Sequence, residues 1–209
     1  MRYYRMRTLP YNQTHVTEKL IIVNAVVFLL TSVVQNLQYY LALIPSFILH
    51  GYIWQFVTYM FVHGSVSHLF FNMLSLFIFG SVVERQLGSR EFLLFYLVTG
   101  TFSGILSFLS YLLAGTNVVL VGASGAIYAI LLLFAVFNPY AQIFVFGLIP
   151  IRAPILVLVY TGIELYSQVF AAGGNVAHLT HLFGLLGAYL YCLVRLKISP
   201  LKVFKDSLN

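Results

Sequence analysis

Lysine and arginine occur in this chain only in alternate gaps between its long apolar runs. The runs cover about Lys19–Gln35, His68–Val83, Phe92–Ala114, Val119–Phe137, Ala153–Phe170 and Val176–Val194. A helical apolar stretch of about 20 residues crosses the hydrocarbon core of a bilayer. If these six cross and residues 36–62 do not, every basic residue falls on one side: Arg2, Arg5, Arg7, Lys19, Arg85, Arg90, Arg152, Arg195, Lys197, Lys202 and Lys205. Cytoplasmic loops carry the excess of Lys and Arg. Both termini are therefore expected in the cytoplasm, with Gly88 and Asn209 on that side and Thr116 and Gly173 outside. Residues 36–62 are apolar and aromatic but broken by Pro45, His50, Gly51 and Gln55. As a seventh crossing they would scatter the charges over both faces, so they read as a loop half-sunk in lipid.

Composition agrees with this reading. Only 8% of the residues are charged, against roughly 25% in soluble domains, and mean hydropathy is +0.94. A soluble globular domain is excluded. The formal charge of +6 then records topology rather than a nucleic-acid partner, and the implied partner is the lipid bilayer. The expected class is all-α, a six-helix membrane bundle with a membrane-embedded first loop. It is organised as one core, 19–195, between an N-terminal tail, 1–18, and a basic C-terminal tail, 196–209. The basic segment Arg2–Arg7 precedes an apolar run too long for a signal-peptide core and reads as part of an uncleaved anchor. The single cysteine, Cys192, can form no internal disulfide and reads as apolar packing. Residues 138–152 hold a short apolar piece between Pro139 and Pro150, too short to cross.

Gly122-Ala123-Ser124-Gly125 opens the fourth run. Small flanking residues let another backbone come close to a hydroxyl, and a helix mouth leaves backbone N–H groups unpaired. An activated serine with an oxyanion site needs both. A small-residue packing patch between membrane helices has the same composition, so the stretch alone does not decide. The second, fourth and sixth spans run in the same direction. Near their outer starts they carry His68 and Asn72, Ser124, and His178 and His181. At about 1.5 Å of rise per residue these lie within roughly ten ångströms of depth of one another. Polar side chains inside a membrane are costly and mark function by default. His68 and Asn72, four apart, share a helix face and can aim two donors at one developing oxyanion. Ser124 and Tyr128 have the same spacing, which puts a ring one turn below the hydroxyl.

Four segments now stand in order: His63-Gly-Ser-Val-Ser-His68-Leu-Phe-Phe-Asn72, Gly80-Ser-Val-Val-Glu84-Arg-Gln-Leu-Gly88, Gly122-Ala-Ser-Gly-Ala-Ile-Tyr128 and Ala177-His-Leu-Thr-His181-Leu-Phe-Gly184. Together they closely resemble the rhomboid intramembrane serine proteases of the six-span bacterial type. The resemblance implies a Ser–His dyad that cleaves the transmembrane segments of other membrane proteins near the outer face. It also implies a multi-pass protein of the bacterial inner membrane. Ser124 becomes the nucleophile and His181 the base, supported by Tyr128 and Gly122. His68, Asn72 and the Ser124 backbone N–H become the oxyanion hole. Trp54 sits in the family's Trp-Arg loop motif, where Gln55 replaces the arginine and leaves the loop's anchoring open.

His178 stays open as an alternative base, although His181 is followed by Gly184 and Ala188, which permit close helix approach. Of the five acids, Glu18, Glu84, Glu91 and Asp206 belong to the cytoplasmic side, and Glu164 alone lies within a span. Its reading is a hydrogen bond to a neighbouring helix or water, with a catalytic contribution as the lesser alternative. His50 and His63 lie in or beside the loop and read as headgroup contacts. A metal site from His68, His178 and His181 would suit zinc, but it leaves Ser124 without a role; no metal and no cofactor are expected. Two other classes compete with a protease. A non-proteolytic rhomboid-like protein that binds membrane segments would lack the serine or histidine. A small transporter would show broken, mid-membrane charged helices or paired halves.

Overall fold

The computed structural model describes residues 13–145, 147–170 and 177–208. Arg2, Arg5 and Arg7, Gly173, the expected start of the last span at Val176, and Asn209 lie outside the described residues. Helix α1 (Val16–Val33) is followed by three short helices, α2 (Leu37–Leu41), α3 (Pro45–Leu49) and α4 (Gln55–Thr58), and a 3-10 turn, Tyr59–Phe61. Helix α5 (Val66–Ser75) continues through a π turn, Leu76–Gly80, into α6 (Ser81–Leu87). Then come α7 (Ser89–Leu113), α8 (Ser124–Phe137), strands β1 (Gln142–Val145) and β2 (Ile149–Arg152), and α9 (Ala153–Phe170). Helix α10 (Ala177–Tyr191) runs through a second π turn, Cys192–Leu196, and α11 (Pro200–Leu208) closes the described chain. Among the described residues, four helices are long and apolar enough to cross a membrane: Val16–Val33, Val66–Leu87, Ser89–Leu113 and His178–Leu196. Helix α8 is apolar but shorter.

Two expectations change here. The fourth apolar run was expected to be helical from about Val119, yet the helix begins only at Ser124. Leu120 exchanges both backbone hydrogen bonds with Leu43, at 3.0 and 2.9 Å, which holds the chain extended. Gly122 then turns it at φ +119°, a backbone conformation that disfavours any side chain. The second change concerns the all-helical expectation. Residues 138–152 contain an antiparallel hairpin, with Gln142 opposite Arg152 and Val145 opposite Ile149.

Hydrogen bonds sort the loops into two groups. At one end, Ser46 N–H donates to Asn117 Oδ1 at 3.0 Å beside the Leu43–Leu120 bridge. At the other, Glu84 accepts from the backbone N–H groups of Val16 and Thr17, each at 2.8 Å, capping the first turn of α1. Gln86 pairs with Asn138 at 2.8 Å, Arg195 Nε donates to Glu91 at 2.9 Å, and Arg152 donates to the Ser207 carbonyl at 2.8 Å. The basic residues Arg85, Arg152 and Arg195 thus share one end with the buried carboxylates of Glu84 and Glu91. Within the C-terminal segment, α11 buries Pro200, Val203, Phe204 and Ser207.

The first loop is anchored by the residue that left its anchoring open. Gln55 is fully buried. Its Oε1 accepts from Ile44 N–H at 3.0 Å, and its Nε2 donates to the carbonyls of Tyr39 and Tyr40 at 3.0 and 3.2 Å. Trp54 Nε1 adds a bond to the Tyr40 carbonyl at 3.0 Å. A neutral amide supplies both a donor and an acceptor, so one side chain ties helix α2 and the backbone entering α3 to α4.

Eleven of the 14 residues of α8 are buried, which makes it the post that the other helices surround. Helix α10 lies against both α8 and α7. A buried hydroxyl seam fixes its height on α7: Ser103 Oγ donates to the Thr180 carbonyl at 2.5 Å, and Ser107 Oγ meets Thr180 Oγ1 at 2.8 Å. Gly184 sets its distance from α8. A methyl group there would sit 2.0 Å from the Gly125 carbonyl oxygen, and backbone cannot yield as a side chain tip can. Gly184→Ala is therefore expected to force the two helices apart. Overpacking of this kind costs about 1–3 kcal/mol, which a lowered melting temperature in detergent would register. An unchanged melting temperature would show that the interface adapts.

Candidate active site

Helix α8 begins with the hydroxyl of Ser124 at its mouth, half-buried, after the Gly122 turn. The first backbone N–H groups of a helix have no partner within it, so this mouth offers donors beside the serine oxygen. From α10, His181 Nε2 lies 2.8 Å from Ser124 Oγ. That approach depends on Gly184, one turn further along α10 and in contact with the Gly125 backbone. Tyr128, one turn after Ser124, stacks its ring on the His181 imidazole with centroids 4.3 Å apart and planes 6° from parallel. The imidazole is thereby held in plane as well as in position.

On the other side of Ser124, the His68 ring covers the Gly122 backbone. A Cβ at Gly122 would lie 2.8 Å from His68 Cε1 and Nε2 and 3.8 Å from Ser124 Oγ. Here glycine makes room for a ring as well as for a turn. The N-cap of α5 is Ser65, whose side chain accepts from His68 N–H at 3.1 Å, so α5 starts with His68 in its first turn. Asn72 is buried one turn below, with one amide N–H bonded to the His68 carbonyl at 2.8 Å. A carboxamide carries a second N–H. His63, read from sequence as a headgroup contact, is instead buried at 3% exposure, and its ring packs against His68 at 5.0 Å. Burial, with His68 beside it, pushes His63 down to about 4, so it adds no positive charge near the site at neutral pH. His50 is exposed, with Nδ1 2.7 Å from the Ser46 carbonyl oxygen.

Sequence reasoning left one member of this group outside the site. Glu164 of α9 is 5% exposed. Its Oε1 lies 2.9 Å from His181 Nδ1, its Oε2 lies 2.5 Å from His178 Nδ1, and the Tyr128 hydroxyl donates to Oε1. Its isolation as the one acid within a span was the available signal. The same trio could be read as metal ligands. Donor atoms sharing a tetrahedral zinc at about 2.0–2.1 Å stand about 3.3 Å apart, and the shorter separations here are those of hydrogen bonds. His178 faces Glu164, not Ser124, in its hydrogen bonding. His68 does not join the trio as a third imidazole.

A polytopic helical protein with a serine hydroxyl and an imidazole paired at a half-buried helix mouth is what fold and site define. Residues 50–198 match the model of the Rhomboid domain. The chain is 31% identical over 141 residues to the rhomboid protein YdcA of Bacillus subtilis, covering 68% of this chain and 66% of that protein. It is 33% identical over 79 residues to Rhomboid protease GlpG of Haemophilus influenzae, covering 38% of each. It is also 27% identical over 191 residues to Rhomboid-like protein 15 of Arabidopsis thaliana, covering 84% of this chain and 45% of that one. The chain thus spans two thirds or less of the length of these relatives. It belongs to the rhomboid family and is an integral membrane protein.

Proposed function

We propose that this chain is an intramembrane serine endopeptidase that cleaves transmembrane segments of other membrane proteins near the outer face of a bacterial inner membrane. The observation that carries the reading is the 2.8 Å contact of His181 Nε2 with Ser124 Oγ. It is the distance required between a nucleophile and its general base. Ser124 Oγ attacks the scissile carbonyl carbon while its proton passes to His181 Nε2. The developing oxyanion is taken by the Ser124 backbone N–H, His68 and Asn72. The protonated His181 then gives its proton to the leaving amine as the C–N bond breaks. Water, deprotonated by the same imidazole, releases the acyl group and restores the hydroxyl. Donors fixed in advance around an oxyanion are worth most where water is excluded.

The reading includes six crossings, with core 19–195 between a tail at 1–18 and a basic segment at 196–209, and both termini in the cytoplasm. It is supported by the gathering of Arg85, Arg152 and Arg195 at the end opposite Ser124. Reporter fusions are expected to place Thr116 outside and Gly88 in the cytoplasm; Gly88 outside would overturn the orientation. A serine-reactive fluorophosphonate tests the chemistry directly. Labelling of the wild-type protein, absent in Ser124→Ala, supports an enzyme. Binding of transmembrane peptides with no labelling and no cleavage would support the alternative, a non-proteolytic rhomboid-like binding protein.

A further inference from the structure

We propose that Glu164 is a positioning residue for the reaction, fixing the tautomer of His181 and balancing the charge it acquires, so that the site works as a Ser–His–carboxylate triad and not as a bare dyad. The inference rests on the reading that Ser124 and His181 carry the chemistry. Glu164 is buried, and among the described residues its hydrogen-bond partners are His181, His178 and Tyr128. Two of them already touch one another in the site, through the Tyr128–His181 stack. An ionised carboxylate only accepts hydrogen bonds. Each of the three partners must then donate, so His181 carries its proton on Nδ1, 2.9 Å from Glu164 Oε1. Its Nε2 is left with a lone pair facing the Ser124 hydroxyl at 2.8 Å. The opposite tautomer would set a lone pair of Nδ1 against the carboxylate and an N–H against the serine oxygen, and that imidazole could not accept the serine proton.

The same geometry orients the carboxylate. Tyr128 donates to the oxygen that serves His181, while His178 holds the second oxygen at 2.5 Å. Both carboxylate oxygens are thus tied to side chains of α8 and α10, the two helices that carry Ser124 and His181. When His181 takes the serine proton, the imidazolium forms against a fixed negative charge in a site with little water to screen it. In soluble serine proteases, neutralising the acid behind the histidine while keeping its shape lowers kcat by about 10⁴.

The test is Glu164→Gln in the full chain, purified in detergent and assayed on a transmembrane peptide substrate beside Ser124→Ala. The expected result is a fall in kcat of roughly 10²–10⁴-fold, with KM and the melting temperature little changed. In ¹⁵N-imidazole-labelled protein, the His181 signals should move from the Nδ1–H tautomer towards the Nε2–H tautomer. A merely structural glutamate would move neither the kcat/KM split in this way nor the tautomer. Glu164→Asp keeps the charge on a shorter arm and is expected to retain more activity than the glutamine variant. Equal loss in the two, or a glutamine variant within threefold of wild type and with an unmoved tautomer, overturns the inference while a dead Ser124→Ala leaves the protease reading standing. Activity in Ser124→Ala would instead overturn the protease reading beneath it. If Glu164→Gln does not fold, the comparison of kcat and tautomer between Glu164→Asp and wild type decides: a near-wild-type tautomer with partial activity supports the inference, and full loss with an unmoved tautomer ends it.

Discussion

Ser124→Ala is expected to bring cleavage of a transmembrane substrate in proteoliposomes down to background, a loss of about 10⁶-fold by the measure of soluble serine proteases. The substitution takes away the atom that would bond to the acyl group, and among the described residues no other hydroxyl is bonded to His181. The hydroxyls of Ser103, Ser107 and Thr180 are spent on the seam between α7 and α10. Stability should barely move. Ser124 Oγ is bonded to His181, and alanine is readily accommodated in a helix. The imidazole loses one neutral hydrogen bond, worth about 1 kcal/mol, and keeps its carboxylate and its stacked ring. A folded, inactive variant separates loss of chemistry from loss of structure. Residual cleavage above background would mean that another nucleophile serves the reaction.

The parts of the molecule that the sequence made legible are those set by one-dimensional patterns. Charge spacing ordered the loops, and Ser124, His181, His68 and Asn72 were drawn together by depth along same-direction helices. What was not legible depends on rotation and on pairing between distant segments. Glu164 was visible as an acid in an apolar run. Its contact with His181, 17 positions further on, requires α9 to present that one face to α10, and the one-dimensional pattern carries no code for the angle. The late start of α8 has a similar origin. Residues 119–123 are apolar enough to continue the helix, but Leu120 is claimed by Leu43, far away in sequence. His63 looked like a loop residue, but α5 starts three residues after it and brings the His68 ring against it. Gln55 was judged by the arginine it replaces, whereas an amide meets three backbone groups that a guanidinium, with no acceptor, could satisfy only in part.

The two histidines of α10 should separate sharply when each is replaced by alanine. His181→Ala is expected to abolish proteolysis to about the same level as Ser124→Ala, because nucleophile and base act as a unit and removing either costs nearly the whole rate. His178→Ala is expected to weaken cleavage by roughly 10–100-fold, the worth of one hydrogen bond to a charged group. Both residues are three apart on one face, and both present Nδ1 to Glu164, so sequence spacing alone leaves either able to serve. Geometry breaks the tie at the second ring nitrogen. His181 Nε2 reaches Ser124 Oγ, and its ring is clamped by Tyr128. The His178 ring stands at 89° to that of His181, 6.5 Å away, and its Nδ1 bond runs to Oε2 of the carboxylate. Removing His178 therefore loosens Glu164 on one side while leaving the bond to His181 in place. Kinetics of fluorophosphonate labelling measure the same step without a substrate: a slowed rate in His178→Ala and none in His181→Ala is the expected pattern. A dead His178→Ala beside an active His181→Ala would move the general base one turn outward along α10, and would require α10 to rotate from the orientation that Gly184 now fixes against Gly125.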